Sequence, residues 1–430
     1  MTGGDSTSYP QGEGGHKAAM VALAGIYMFA FAGPWSTTLV DFGIVMMLAG
    51  SLFSLSAIWA DIRRERIFWL VMVFFMYVIA HTAIHLHLYP DLDGMKNPHW
   101  NHWLRSGGIW SLLLGWWLYR NPDHVKPLLL TLLAGLILGT FYQGDHRSLL
   151  ASDIWSRWVW GYSPNYLGMA SGFALLILAS WLAHGRRGSL SLWEWAAASA
   201  LLLILSIMFL SSGSRSAWVA FPFGFAVIVA YALLDSSRRV SVKPLLVVIG
   251  LMFLSVLTII VFQPEFLLAQ LLPDSEAVSK FLALEWAEAA RVQSSFGHRL
   301  AIWFIGFEAF LQRPLFGWGA GSGGLIVYSD ELPYRHFHSI YIEVLVSFGL
   351  IGAFLLGWLH VLLYARVIAA ARSGSISRPM FIALASVTVF FLMKMTNEIR
   401  IGQSEGRALI TTLYAFYAYA MFRFRACVHD

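Results

Sequence analysis

The segment "YRHFHSIYIEVLVSFGLIG" (Tyr334–Gly352) leads into an apolar run that continues to Ala365. A helix needs about 20 predominantly apolar residues to cross a bilayer, and this run is long enough. Ionisable residues stand at its start, including His336 and His338, and Glu343 lies inside it. Because such groups are costly at a membrane boundary unless they serve a function, the segment predicts a membrane helix that begins in a functional site.

The composition excludes a water-soluble enzyme. The 430 residues are 58% hydrophobic and 12% charged, whereas soluble domains are about 45–50% apolar and about 25% charged. The predicted fold class is all-α, a polytopic integral membrane protein. The net charge of +5 then bears on orientation in the membrane, and no nucleic-acid partner is expected. Twelve spans are predicted, near residues 17–33, 37–60, 67–88, 106–119, 126–142, 165–184, 191–210, 214–234, 244–262, 340–365, 379–397 and 407–424.

Lysine and arginine residues mark the cytoplasmic connections and predict that both termini lie in the cytoplasm. Residues 1–16 are rich in Gly and Ser and predict a disordered tail. The remaining divisions are nine spans over 17–262, a large outer loop over 263–338, three spans over 339–424 and a tail over 425–430. Connections usually have about 4–6 residues, so a loop of this length is expected to be functional. Within it, apolar residues at helical spacing from Leu300 to Leu311 predict a helix that ends at Pro314.

Three arginines near the predicted outer face are candidates for binding an anion. Arg215 is the one charge in "SSGSRSAW" (Ser211–Trp218), where it could reach the membrane interface or bind an anion beside a helix start. Arg291 and Arg299 belong to the outer loop, and a solvated face explains either one. If all three converge, the cluster would suit a pyrophosphate.

Metal binding is the less favoured interpretation of two further motifs. Asp91 and Asp93 have the spacing that holds a metal in many glycosyltransferases, but short acidic turns are common. His81 and His85 lie one helical turn apart without an obvious third ligand, which favours polar groups lining a cavity or interfacial histidines. "GWGAGSGG" (Gly317–Gly324) formally contains GxGxxG, but it follows a helix rather than a strand and is interpreted as a flexible turn.

The opening segment leaves the role of His338 open between a hydrogen-bonded structural histidine and a catalyst. Glu343 would lie about 140° around a helix from His338, so it is not an obvious direct partner but could orient a group in a shared cavity. His336 is expected on a different side of a helix from His338. Gly349 and Gly352 would allow a neighbouring helix to pack closely.

Taken in order, three segments resemble the signature of the O-antigen ligase and O-antigen polymerase superfamily. They are "SGSRSAW", "GHRLAIWFIGFEAFLQRPLFGWGAG" and "HSIYIEVLVSFGLIG", and they extend from Ser211 to Gly352. Ser339 departs from the asparagine that frequently follows the family histidine. A single large loop between the ninth and tenth spans is similar to the lipopolysaccharide O-antigen ligases, whereas polymerases have two sizeable outer loops. O-antigen polymerases and protein O-oligosaccharyltransferases remain alternatives.

The resemblance implies a GT-C-like glycosyltransferase, active at the periplasmic face of the bacterial inner membrane. It would transfer O-antigen from undecaprenyl pyrophosphate, the donor, to the lipid A-core acceptor, with membrane lipids around it. His338 would be the general base, and the pyrophosphate would bind the three arginines named above. Glu343, Ser214 and Tyr341 would support them. No cofactor or metal is expected, and direct displacement would invert the anomeric carbon.

A transporter or lipid flippase is the alternative from a different class, since many spans with polar groups suit either. Transporters, however, tend to place ionisable groups near the membrane midplane and to contain repeats. In this sequence such groups collect at one predicted face and in one loop, and no internal repeat is evident. An enzyme is therefore the favoured prediction.

Overall fold

The computed structural model describes residues 13–88, 108–144, 161–184, 191–234, 272–327, 336–396 and 404–429, together with isolated positions between 246 and 268. All regular secondary structure in these ranges is helical. The helices are α1 (Glu13–Ala32), α2 (Thr37–Leu52), α3 (Leu55–Ile62), α4 (Arg66–Leu88), α5 (Ile109–Arg120), α6 (Val125–Gln143), α7 (Pro164–His184), α8 (Leu192–Ser211), α9 (Arg215–Leu234), α10 (Ser275–Leu282), α11 (Trp286–Arg291), α12 (Ser295–Gln312), α13 (Gly323–Val327), α14 (Ile340–Arg372), α15 (Arg378–Met395) and α16 (Ser404–His429).

Eight helices in the described ranges are long and apolar enough to cross a membrane, or nine if α2 and α3 form one broken span. This confirms the all-α, polytopic membrane class. Helix α5 has only 12 residues, and α16 carries arginines near both ends, yet the two helices pack against each other in the bundle. The ninth predicted span, 244–262, lies outside the described residues apart from isolated positions.

The span predicted over 37–60 is not continuous. Helices α2 and α3 meet at a bend of 95°. The buried Ser54 is the N-cap residue that immediately precedes α3. A contact on α3 favours the bend: the carboxylate of Asp61 accepts hydrogen bonds from Arg120 at 2.9 Å and from the Trp116 indole at 2.8 Å. The two bonds attach α3 to the end of α5, a contact between distant segments that apolar content alone does not reveal.

Both predicted tails are shorter than expected. Helix α1 begins at Glu13, inside the tail predicted over 1–16. Helix α16 continues to His429 through the tail predicted over 425–430. Contacts of Arg425 explain why α16 is longer than predicted. Its guanidinium donates to the Asp61 carbonyl at 2.6 Å and lies 3.7 Å from the Glu65 carboxylate.

Helices α4, α9, α14 and α15 are arranged so that one end of the bundle holds the start of α9, the start of α14 and the end of α15. We call this the site end. A large apolar core fills the bundle, and a smaller core lies beneath α12 and α13. The smaller core consists of Ile302, Ala309, Val327, Phe337 and Val346. It packs α12 and α13 against the first turns of α14.

Helix α14 is broken at Gly349, which has φ 62° and ψ −163°, a conformation open essentially only to glycine. The segment that follows α12 enters this break. Trp318 and Gly319 donate their N–H groups to the carbonyls of Val346 and Ser347 at 2.7 and 2.9 Å. In return, the N–H groups of Leu350 and Ile351 donate to the carbonyls of Pro314 and Leu315 at 2.8 and 3.2 Å.

This exchange replaces helical hydrogen bonds that the break removes, as buried backbone groups require. The Tyr77 hydroxyl of α4 completes it by donating to the Phe348 carbonyl at 2.7 Å. The glycine-rich turn at Gly317 is therefore a hydrogen-bonded insert, and the interpretation as a flexible turn was wrong for this part of it. Gly349 was expected to allow a neighbouring helix to pack closely. Instead, the backbone of the loop segment at Leu315 and Phe316 packs against it.

Candidate active site

His338 lies in a turn immediately before α14 and is partly exposed. Its φ is 50°, in the left-handed region that a histidine adopts only at a cost of about 1–3 kcal/mol. Such backbone strain persists where surrounding contacts fix it, and it clusters at functional sites. The conformation is therefore a reason, independent of the sequence motif, to consider His338 functional.

His336 is a direct neighbour of His338, so the expectation that it lies on a different side was wrong. The two residues do not belong to a helix, and the periodicity used for that expectation does not apply. Their ring centroids are 4.1 Å apart in an edge-to-face arrangement. The His338 N–H donates to Nδ1 of His336 at 3.3 Å, which supports the strained turn from within.

Two contacts hold the turn from outside. The indole of Trp303 on α12 donates to the Phe337 carbonyl at 2.9 Å. The Glu343 carboxylate, one turn into α14, lies 3.5 Å from both the Phe337 nitrogen and the Ser347 hydroxyl. Glu343 thus faces the backbone beside His338.

Arg215 is the first residue of α9 and forms an ion pair with the carboxylate of Asp274. The other carboxylate oxygen of Asp274 accepts the N–H of Phe296, in the first turn of α12, at 2.8 Å. A carboxylate therefore lies between a guanidinium and a helix N-terminus, which is an environment suited to an anion. Sequence analysis missed Asp274. "LPDSEA" has the pattern of a helix start, but the Asp274 side chain does not cap α10.

Helix α12 connects the arginine to the histidine. Phe296, Arg299, Trp303 and Gly306 recur at the spacing of one helix face. Phe296 contacts the partner of Arg215, and Trp303 holds the turn that contains His338. Seven residues at 1.5 Å each put these two anchor points about 10 Å apart along the helix. Arg299 lies between them on that face and is partly exposed.

Arg291 is exposed at the last residue of α11, five residues before Phe296. The backbone of α12 packs closely there, because a Cβ at Gly297 would lie 2.1 Å from the Val292 carbonyl oxygen. The structure thus brings Arg291 to the junction that also holds the start of α12. The convergence of the three guanidinium groups on one anion remains a prediction.

The end of α15 joins the same region from the bundle side. The Tyr341 hydroxyl, in the first turn of α14, donates to the Leu392 carbonyl at 2.8 Å. Two residues later, the fully buried Lys394 donates to the Ser216 hydroxyl at 2.8 Å. The start of α9 has a further anchor in the buried Ser214, whose hydroxyl donates to the Asn165 side chain at 2.9 Å.

Sequence analysis missed Lys394, although an ionisable residue within a predicted span is a recognised signal of a functional site.

The histidine pair at the end of α4 binds an arginine in this structure. Arg313 donates to Nε2 of His85 at 3.1 Å, and its guanidinium lies 3.9 Å from the centroid of the Trp318 ring. Since guanidinium can only donate, Nε2 accepts and the proton lies on Nδ1, 3.2 Å from the His81 carbonyl. The pair therefore supports the loop inserted at Gly349. Asp91 and Asp93 lie outside the described residues.

An apolar cavity of about 430 Å³ begins beside the turn of His338 and follows α14 into the bundle. Ile340 and Tyr341 line it at the site end, and Leu356 and Leu363 line it further along the helix. Tyr341 and Leu392 are lining residues that are also exposed on the surface of the bundle. The cavity therefore reaches the surface of the bundle beside these two residues.

These features define a class, a multi-pass membrane protein with a histidine and several cations at one end of an all-α bundle. The model of the O-antigen ligase family matches residues 200–357, which include α9, α12 and the break in α14. This match supports membership of the chain in the O-antigen ligase and polymerase superfamily. Members are glycosyltransferase-like enzymes that act on lipid-linked oligosaccharides and acceptors. No curated protein matches the chain in a sequence search.

Proposed function

We propose that the protein is an O-antigen ligase, which transfers O-antigen from undecaprenyl pyrophosphate to the lipid A-core. One observation carries the proposal: a single helix, α12, contacts both the Arg215–Asp274 pair and the turn that contains His338. The two contacts lie about 10 Å apart along the helix. That separation suits a substrate whose pyrophosphate binds at one point while its anomeric carbon reaches another. Asp274 pairs with Arg215 at the point where the pyrophosphate would bind.

In this mechanism, an imidazole nitrogen of His338 takes the proton of the acceptor hydroxyl. The hydroxyl oxygen attacks the anomeric carbon from the face opposite the pyrophosphate, and the carbon–oxygen bond to the phosphate breaks with inversion. The leaving pyrophosphate gains negative charge, which Arg215, Arg291 and Arg299 stabilise. Because these cations supply the charge that a metal would otherwise provide, transfer should persist in EDTA. Activity that disappears with EDTA and returns with Mg²⁺ would contradict this step.

The cavity beside Tyr341 supports a donor with a long apolar tail. Its walls are almost entirely hydrocarbon, so a polyprenyl chain can enter sideways from the bilayer while the pyrophosphate stays at the site end. The site end would face the periplasm and both termini the cytoplasm, in agreement with the arginines near the opposite end. This arrangement requires no energy source, because the donor sugar is already activated.

Reconstitution in liposomes tests the proposal, with lipid-linked O-antigen and rough lipopolysaccharide supplied without ATP. We expect a ladder of O-antigen attached to lipid A-core. Longer lipid-linked glycans without attachment would indicate a polymerase, and glycan on an added pilin-like protein would indicate a protein O-oligosaccharyltransferase. Movement of the donor across the bilayer without a new glycosidic bond would indicate a flippase and overturn the enzyme proposal. An Arg215→Lys preparation provides the control for transfer by a contaminant.

A further inference from the structure

Lys394 lies at the site end but has no role in the chemistry described above. It is in the last turn of α15, and its side chain has no exposed surface. Its ammonium donates to the Ser216 hydroxyl at 2.8 Å. Ser216 directly follows Arg215, so the ammonium and the Asp274 carboxylate approach consecutive residues in the first turn of α9.

The position of Lys394 is determined by contacts on two sides. Two residues before it, the Leu392 carbonyl accepts the Tyr341 hydroxyl of α14. Helix α15 also packs along α9 over an extensive interface. The ammonium is therefore held between the helix that begins beside His338 and the helix that begins with Arg215. These contacts fix the position of the positively charged Lys394 ammonium.

The charge itself points to an anion. A buried ammonium is costly, and lysines within membrane spans are retained mainly where they serve a function. Here it adds to two other positive groups, the Arg215 guanidinium and the N-terminus of α9, which carries roughly half a unit charge. A pyrophosphate that becomes more negative as it leaves would be stabilised by each of them.

We propose that Lys394 is a positioning residue for the donor pyrophosphate. It fixes Ser216 and the start of α9, and its charge strengthens the binding of the pyrophosphate, most of all when the pyrophosphate leaves. This rests on the proposed function, since it assumes a lipid pyrophosphate at Arg215. It adds to that function a cation from the bundle, outside the loop that carries Arg291 and Arg299.

The test compares the binding of two lipids to the purified full-length protein in nanodiscs, undecaprenyl pyrophosphate and the uncharged prenol. Lys394→Met keeps most of the length of the side chain and removes its charge. We expect it to weaken pyrophosphate binding by about tenfold or more, a typical loss for a charged hydrogen bond, and to leave prenol binding unchanged. Lys394→Arg should restore part of the loss. The matched control is Lys280→Met, the same change at a lysine on α10 that pairs with Glu276.

Each result distinguishes this inference from the proposed function. Wild-type protein that binds the prenol and the pyrophosphate equally would overturn the proposed function, and Lys394 would lose its assigned ligand. Wild-type preference for pyrophosphate that persists in Lys394→Met would overturn the role of Lys394 alone. A parallel loss of both lipids, together with a lower unfolding temperature, would also overturn it, because a purely structural lysine gives that pattern. A loss confined to pyrophosphate, with recovery in Lys394→Arg, would support it.

Discussion

Replacing Gly349 by alanine should detach the loop segment from the break in α14. At φ 62° and ψ −163°, any residue except glycine is strained by about 1–3 kcal/mol. The new Cβ would also lie 2.4 Å from the carbonyl carbon and oxygen of Leu315. These are backbone atoms, so the overlap cannot be relieved by rotating a side chain. The inserted segment must move away.

The magnitude follows from the bonds that depend on this contact. Moving the segment breaks at least the two bonds from the N–H groups of Leu350 and Ile351, each with a net value of about 1 kcal/mol. Together with the strain, the local opening free energy should fall by about 3–5 kcal/mol. At 1.4 kcal/mol for each factor of ten, this corresponds to about 10²- to 4 × 10³-fold weaker protection of these amides.

Hydrogen exchange measured by mass spectrometry on the protein in nanodiscs provides the assay. Peptides that contain Trp318, Gly319, Leu350 and Ile351 should exchange faster by this factor in Gly349→Ala. Gly357→Ala is the control within the same helix, because a Cβ there meets no atom within 4 Å. That change should stabilise the helix by about 0.5–1 kcal/mol and leave the four amides protected. Protection in Gly349→Ala within threefold of the wild type would refute the proposed exchange of backbone bonds.

Five further changes probe the site and the opposite end of the bundle. His338→Ala should lower single-turnover transfer by about 10²–10⁴-fold with donor binding retained, and normal transfer in the folded variant would exclude His338 as the base. His336→Ala should lower kcat by about fivefold, the value of one lost hydrogen bond, and full activity would show that His336 does not support the turn. Arg215→Lys should lose most transfer, because lysine cannot bridge two phosphate oxygens in one plane; near wild-type kcat/KM would contradict a phosphate contact. Asp274→Asn should lower the donor KM by about fivefold at most, since a partly exposed ion pair with Arg215 no longer competes, and a raised KM would show that Asp274 positions the arginine instead. Burial raises the pKa of Glu65, so the folded state binds its proton more tightly and stability should fall as pH rises above the ordinary value of 4.5; the unfolding temperature of Glu65→Gln should fall less over that range, and an identical pH profile would contradict the shift.

The membrane class and most helices could be predicted from the sequence, because long apolar runs have few alternatives in a bilayer. Helices α4, α7 and α9 begin and end within a few residues of the predicted spans. The breaks could not be predicted in the same way. The one at Gly349 requires a loop segment that lies about thirty residues earlier in the chain, and hydropathy contains no information about which backbone fills a gap.

The candidate site was predictable as a set of residues but not as an arrangement. Arg215, Arg299, His338 and Glu343 were identified from their residue types and the resemblance, and all of them lie at the site end. Their connections come from residues that carry no chemical signal in the sequence. Trp303 acts through an indole N–H, and Asp274 resembles an ordinary helix cap. His336 was misplaced because helix periodicity was applied to a turn.

The structure also gives a reason for the length of the segment between α9 and α14. If His338 and Arg215 were both placed by spanning helices, the distance between them would follow from the packing of the bundle alone. That packing must also accommodate the apolar cavity beside α14. Helix α12 separates these requirements, because its first turn contacts the partner of Arg215, and Trp303, about two turns later, holds the His338 turn. The N-terminus is capped by Ser294, and the C-terminus continues into the segment bound at Gly349. A contact broken at Gly349 should therefore disturb the His338 turn before it disturbs Arg215, and transfer should be lost before binding of the donor.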